Sequence, residues 1–576
     1  MIKKRYLLLT GLALSLAGSG CQRIETEPRD IYREDTVWDV QDRNAVVALQ
    51  FLNDLYNYIP NGFMRVGGDF LDAGTDDAVP SRTGRTVEYY TNGTISTILN
   101  PDAYWGTSYA GIRKVNIFLA NIDKVPTTAE NLTWWKSEAR FIRALMYFEL
   151  VKRYGGVPLI GDKIFSLEDD LSVPRNTYAD CVAYIVSECD AVKGTLRPEP
   201  VSDADWGRVP RGAAYALKSR VLLYAASPLF NGGGVAGSDL LGYPSADPSR
   251  WLKAAEAAQE FLTFNSSNAA PYTLQPNFNN VFVVKKNTEI ILAKQSPNGT
   301  SLENSNAPVG YVTPAASQGL TSPSQNLVDA FPDLNGRPIT DAATTYRANN
   351  PYAERDPRLA LTVFTNGVTA ANGTTPVPTS WINRPVELFE GGRDKPGGNA
   401  VQTRTGYYLR KFLANFATNS SYTAQSHNFP IFRFAEIRLN AAEAFNEVGT
   451  RTQDAVNQII ELRRRAGIMA GADGRYGIPA GIGQAALREL IRNERRIELA
   501  FEEHRFWDVR RWKIAETALS GPLNGIKITR TATSPLTYTY ERTLVTNLVF
   551  QPKLYYMPLP YDETTKNLNL KQNPGW

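Results

Sequence analysis

Histidine is almost missing from this sequence: 576 residues contain two, His427 and His504. A Ser-His-Asp or Cys-His nucleophile needs an imidazole with partners brought to it in space. Neither histidine accompanies a GxSxG or an HExxH pattern, and no GxxxxGK[ST] phosphate loop occurs. The glycine-rich "GGGVAG" (232–237) follows "SPLFN" rather than a strand and reads as a loop. Cysteine is as scarce, with Cys21, Cys181 and Cys189 only. There is no CxxC pair, so no zinc or thiol-redox pattern. Cys181 and Cys189 stand eight residues apart in a helical stretch. That is about 12 Å of helix rise, beyond the roughly 7 Å Cα separation a disulfide spans. Two packed thiols are expected there.

An excess of one charge is missing too. Net charge is +4, and Lys3, Lys4 and Arg5 supply three of it within a first 20 residues that hold no acid. The remaining +1 gives no global field for nucleic acid. No later apolar run reaches roughly 18 residues, so no transmembrane helix is expected.

What is present begins with an address. "MIKKRYLLLTGLALSLAGSGCQ" has a basic start, a short apolar run and small residues, the form of a secretory signal over 1–20. The small residues lead into Cys21, placed like the lipidated first residue of a bacterial lipoprotein, although Gly18 stands where a lipobox usually has Leu. Secretion without acylation is the alternative. Residues 21–34 are polar, carry Pro28 and read as a tether; 35–576 reads as one domain.

Apolar residues then recur with helical spacing over 45–59, 104–123, 133–156, 177–194, 210–230, 250–264, 429–449, 452–468 and 484–516. The pair 429–468 spans about one helix-hairpin repeat of the 34–40-residue kind. Two regions break the pattern. Residues 61–100 are rich in Gly, Asp and Thr; 265–428 is rich in Asn, Pro, Thr and Gly with short strand-like pieces, "EIILAKQ" and "YYLRKF". Their aromatics argue against disorder, and loops on a helical frame are where binding resides. The tail, 517–576, reads as strand and loop. The predicted class is mainly α, a helix-pair scaffold with two long irregular insertions, 61–100 and 265–428, and a few short strands.

The stretch 489–513, "ELIRNERRIELAFEEHRFWDVRRWK", is mostly charged yet threaded by Leu490, Ile497, Phe501, Trp507 and Trp512. Its mixed signs exclude a basic stripe for nucleic acid. One histidine without a second ligand excludes a metal pattern. Pairs at i,i+3 (Glu489/Arg492, Arg495/Glu498, Glu502/Arg505, Asp508/Arg511) predict a long, partly buried scaffold helix.

The same stretch resembles the C-terminal helix fingerprint of the SusD/RagB family of outer-membrane lipoproteins. "YWGTSYAGIRKVNIFLANID", "EARFIRALMYFELVKRYGGVPLI", "GRVPRGAAYALKSRVLLYAASP", "NPYAERDPRL", "TGYYLRKF", "FPIFRFAEIRLNAAEAFNE" and the final "QNPGW" are similar in the same order. The resemblance implies tetratricopeptide-like helix pairs, loop insertions that form a ligand face and no catalysis; the residues themselves nominate no cofactor or metal ligands. It implies a lipid-anchored outer-membrane protein facing outside, the lid of a SusC-type TonB-dependent transporter, which captures oligosaccharides or, in some members, peptides. A lipid-anchored glycoside hydrolase using loop carboxylates such as Asp76 and Asp77 is the reading from another class. Family ligand residues are not a fixed motif. Residue chemistry in the insertions instead nominates Tyr89, Tyr90 and Tyr311 for stacking on sugar faces. Asp77 and Arg82 are nominated for bonding hydroxyls, and Trp381 as a further ring.

Overall fold

The computed structural model describes residues 34–235, 237–269, 271–309, 318–367, 386–397, 402–414, 424–533 and 536–576. The leader, Cys21, Tyr311 and Trp381 lie outside the described residues.

Helices form close to the predicted limits: α1 Val46–Leu55, α2 Trp105–Asn121, α3 Ala129–Tyr154, α4 Tyr178–Val192, α5 Arg211–Ala226, α6 Ser249–Ser267, α7 Phe434–Val448 and α8 Thr452–Ala466. Local chemistry sets their ends. Thr128 and Thr177 cap α3 and α4, each side chain accepting from a backbone N–H three residues on. Gly449 and Gly467 close α7 and α8 in the left-handed conformation. From α1 to α8 each helix packs on the next, even across the second insertion. Gly111 lets α2 approach α3, since a Cβ there would stand 2.4 Å from Met146 Sδ. Cys181 and Cys189 are buried and unbridged.

The helical spacing over 133–156 predicts an amphipathic helix, and α3 is more than that. It is buried nearly all round and carries Glu138, Arg143, Glu149 and Arg153 inside. Each is ion-paired, as buried charges must be.

Each insertion is closed at its neck. In the first, Arg65 Nη1 meets Asp102 Oδ1 at 2.5 Å. Arg153 of α3 donates to the same carboxylate at 2.8 Å and to Glu149 at 2.5 Å. In the second, strand β2 (Ile290–Gln295) pairs antiparallel with β6 (Asn428–Arg433). The predicted helix over 429–449 thus starts as a strand, whose every residue is buried. Strand β1 (Ala78–Pro80) pairs with β3 (Thr321–Pro323), joining the two insertions, and β4 (Val363–Phe364) pairs with β5 (Tyr408–Leu409). The tail folds into a long ribbon, β7 (Gly521–Thr533) against β8 (Leu536–Leu548).

The first neck carries a pH signature. Burial raises Glu149, but Lys152 and Arg153 outweigh it and hold the carboxyl at about 2, against 4.5 ordinarily. A depressed carboxylate contributes stability above its ordinary pKa and loses it as pH falls through the folded one. A Glu149→Gln variant is therefore expected to be less stable than the parent by about 3 kcal/mol near pH 6. The gap should close between about pH 4.5 and 2, the two values of this carboxyl. Urea unfolding of both proteins across that range checks it.

Candidate ligand-binding face

The charged stretch 489–513 is not one helix. Helix α9 (Gln484–Glu498) ends, and α10 (His504–Arg511) begins after a turn in which Phe501 and Glu503 are left-handed, with φ of 63° and 66°. Non-glycine residues there cost about 1–3 kcal/mol each. Partners from elsewhere in the chain hold the turn. Asp72 accepts from Phe501 N at 2.9 Å and Glu503 N at 3.2 Å. Lys411 Nζ donates to Glu498 O at 3.1 Å and Ala500 O at 2.8 Å. Of the four predicted pairs, Glu489–Arg492 and Asp508–Arg511 form. The other two do not: Arg495 bonds Asp508 at 2.7 Å, and Arg505 bonds Asp76 at 2.8 Å. Long-range partners displace the local ones because these side chains point inward.

What they build is a buried ionic core. Arg433 reaches Glu289 (2.6 Å), Glu498 (2.8 Å) and Glu502 (2.7 Å). Arg358 reaches Asp356 (2.7 Å), Glu494 (2.7 Å) and Glu498 (2.9 Å). Lys411 holds Glu502 at 2.6 Å, Arg463 holds Glu494 at 2.8 Å, and Arg465 bridges Glu289 and Glu498. Five cations thus face five carboxylates away from water. Burial alone would raise Glu498, but Arg465, Arg433 and Arg358 hold it well below the usual carboxylate range. The motifs "NPYAERDPRL", "TGYYLRKF", "FPIFRF" and "RNERRIELAFEE" each supply members of this network.

Both histidines are built into packing. His427 Nε2 lies 2.7 Å from the buried Glu303 carboxylate. Burial and the adjacent Arg495 push His504 well below an ordinary imidazole, and its Nδ1 lies 3.0 Å from the Arg495 guanidinium.

The frame grips the base of the first insertion and leaves its tip outside. Residues 70–81 are buried throughout. Arg496 donates to Asp77 at 2.7 Å and to Asp76 at 2.9 Å, and Arg505 adds two bonds to Asp76 at 2.8 Å. Burial works against the Asp76 charge, but the two arginines outweigh it and lower its pKa, whereas burial raises Asp77. From Arg82 onward the loop reaches the surface. Arg82 Nη2 donates to Gln318 Oε1 at 2.9 Å, and its Nε has no hydrogen-bond partner among the described residues. Arg404 donates to Glu88 at 2.8 Å and to the Pro80 carbonyl at 3.1 Å. Tyr89 is half-buried beside them in sequence.

Two nominated residues are corrected by this placement. Asp77 is fully buried and bonded to Arg496, so it anchors the loop instead of facing a ligand. Tyr90 is fully buried, edge-on to Phe506 at 4.9 Å, with its hydroxyl donating to Asn100 at 2.9 Å. Arg82 and Tyr89 remain on the surface-facing tip. Gln318, the first described residue after the segment holding Tyr311, meets Arg82. The ends of the segment holding Trp381 come together, with Gly367 N donating to Val386 O at 2.8 Å. Gln318, Glu88 and Arg404 were not nominated, and nothing local in the sequence pairs them.

Comparison with known proteins gives the arrangement a context. The profile described as "SusD family" matches residues 288–576, and one described as "Starch-binding associating with outer membrane" matches 33–223. SusD-like protein P2 of Formosa agariphila is 24% identical over 591 aligned positions that cover all of both chains. A SusD-like protein of Bacteroides fragilis, solved by crystallography, is 27% identical, with a TM-score of 0.74 over 94% of this chain and 99% of its own. A structure described as a laminarin-binding SusD-like protein shares the fold at 22% identity, with a TM-score of 0.63 over 92% of this chain and 99% of that one. With a family profile spanning half the chain and a whole-length structural match, this protein belongs to the SusD family.

Proposed function

We propose that the protein captures oligosaccharides at the cell surface. As a non-catalytic lipoprotein anchored through Cys21 in the outer membrane, it delivers them as the lid of a SusC-type TonB-dependent transporter. Residues 35–576 act as one binding domain. The observation that carries this reading is the anchoring of the first insertion. A buried ionic frame fixes its base and leaves Arg82, Glu88 and Tyr89 outward, with Arg404 and Gln318 of the second insertion against them. A few placed polar groups beside aromatic rings on a rigid support suit a ligand rich in hydroxyls. The laminarin-binding relative supports a glycan as that ligand.

Affinity gels containing soluble polysaccharides, laminarin and starch among them, test it. Retardation of the intact protein is expected. The double substitution Arg82→Ala/Tyr89→Ala should weaken it about tenfold with an unchanged melting temperature. Release of sugar products over time would overturn the non-catalytic reading in favour of a hydrolase. Binding to peptides with no retardation on any glycan would move the protein to the peptide-capturing members.

A further inference from the structure

The ribbon β7–β8 changes character along its length. Near its base the side chains turned to the body are Leu523, Ile526, Ile528 and Leu548, all buried. Further out, Arg530 stands opposite Tyr538 and Ile528 opposite Tyr540, so both tyrosines share that inward face. Neither is sealed; both are half-buried, and Leu536 beyond them is exposed. Both tyrosines also pack against the edge of the core. Four rings form a row. Tyr352 lies 5.6 Å from Tyr540, Tyr540 lies 6.4 Å from Tyr538, and Tyr538 lies 5.6 Å from Phe389. Polar groups flank it. Arg530 covers Phe389 at 4.7 Å, and Thr529 on the ribbon's other face donates to the neighbouring Glu390 at 3.1 Å.

The row leads somewhere. Arg542 follows Tyr540 on the same face, pairs with Asp329 and stands on the wall of a cleft of about 1350 Å³. Pockets for small ligands run to roughly 1000 Å³, so this one has room for more than one sugar. Among the described residues its wall has no aromatic ring and is rich in hydroxyl partners, among them Asn335, Arg337, Asp341, Glu489 and Asn493.

We propose that the tyrosine row and the cleft are one extended groove for a polysaccharide chain, with sugar faces on Tyr538 and Tyr540 and the following residues bonded inside the cleft past Arg542. This rests on the glycan-capturing function proposed above and adds a second contact surface to it, separate from Arg82 and Tyr89. Rings that are flat, rigid and already held cost little entropy on binding. This second surface therefore adds affinity for long chains over short oligosaccharides.

The test compares the intact protein with Tyr538→Leu/Tyr540→Leu, which keeps apolar volume and removes the ring faces, and with Tyr538→Phe/Tyr540→Phe, which keeps them. Affinity gels with the same polysaccharides are read beside titration with oligosaccharides of defined length cut from the one that binds. Expected is a loss of about tenfold on the polysaccharide for the leucine protein and less than about twofold on the shortest bound oligosaccharide. The phenylalanine protein should behave as the parent, and melting temperatures should agree across the three. A leucine protein that binds the polysaccharide as the parent does overturns the groove and leaves the glycan-capturing function standing. An equal loss at every chain length overturns the groove as a long-chain site. A parent protein retarded by no polysaccharide overturns both.

Discussion

Replacing Arg433 by alanine is expected to destabilise the protein by about 3–5 kcal/mol, a large fraction of the total stability of a folded domain. The guanidinium serves Glu289, Glu498 and Glu502 and the Glu498 carbonyl, with its side chain 1% exposed. Among the described residues no other group contacts all of them. Removing it leaves Glu502, among the described residues, with Lys411 as its one ion-pair partner, and Glu289 and Glu498 leaning on Arg465 and Arg358. The penalty comes from carboxylates left without counter-charge, not from the intrinsic worth of the pairs. Replacing a whole buried ionic group with fitting apolar residues is often neutral. The measurement is urea unfolding of parent and variant at neutral pH. A loss below about 1 kcal/mol, the range of an exposed pair, would mean that water reaches this network.

The second large effect is expected at Arg496. Arg496→Ala should cost about 3 kcal/mol and also weaken glycan capture, although no ligand is proposed to touch this residue. Arg496 is the only cation that contacts both Asp76 and Asp77 among the described residues. Without it Asp77 has no ion-pair partner there, and the base of the first insertion keeps Arg505, Asp72 and the β1–β3 pairing. The tip that carries Arg82 and Tyr89 is positioned through that base. A binding defect that disappears when Asp77 is also changed to asparagine would locate the cause in the orphaned charge. A defect that persists would locate it in lost positioning.

Much of the architecture was legible because helices announce themselves through a 3.6-residue period and glycine stops, and α1 to α8 lie near where that pattern put them. The ordered motif set made the family legible as well. The break between α9 and α10 was not. Its turn is paid for by Asp72 and Lys411, far away in sequence, while the local pattern of Ile497, Phe501 and His504 continues straight through it. Tyr89 and Tyr90 show the same limit at the candidate site. They are adjacent and chemically identical, and packing on Phe506 with a bond to Asn100 sets one of them apart. Asp77 was misjudged for a related reason, since an acidic turn looks solvated until its arginine is found 419 positions later. The tail reads as strand and loop, and the ribbon forms where threonines alternate with Ile528, Tyr538 and Tyr540.

The turn between α9 and α10 has a consequence for how the chain acquires its structure. Asp72 closes on Glu503 across 431 positions, and Arg358, Lys411 and Arg433 wait for carboxylates at 494, 498 and 502. Contacts so distant along the chain make folding slow, and larger proteins pass through partly assembled forms on the way. As synthesis proceeds from the N-terminus, the helices up to α8 can stack on their neighbours as they emerge. Both insertions must remain unfinished until residues 494–503 arrive. The stretch is a late keystone, and a chain that ends before it holds basic and acidic groups that have nowhere to go but water.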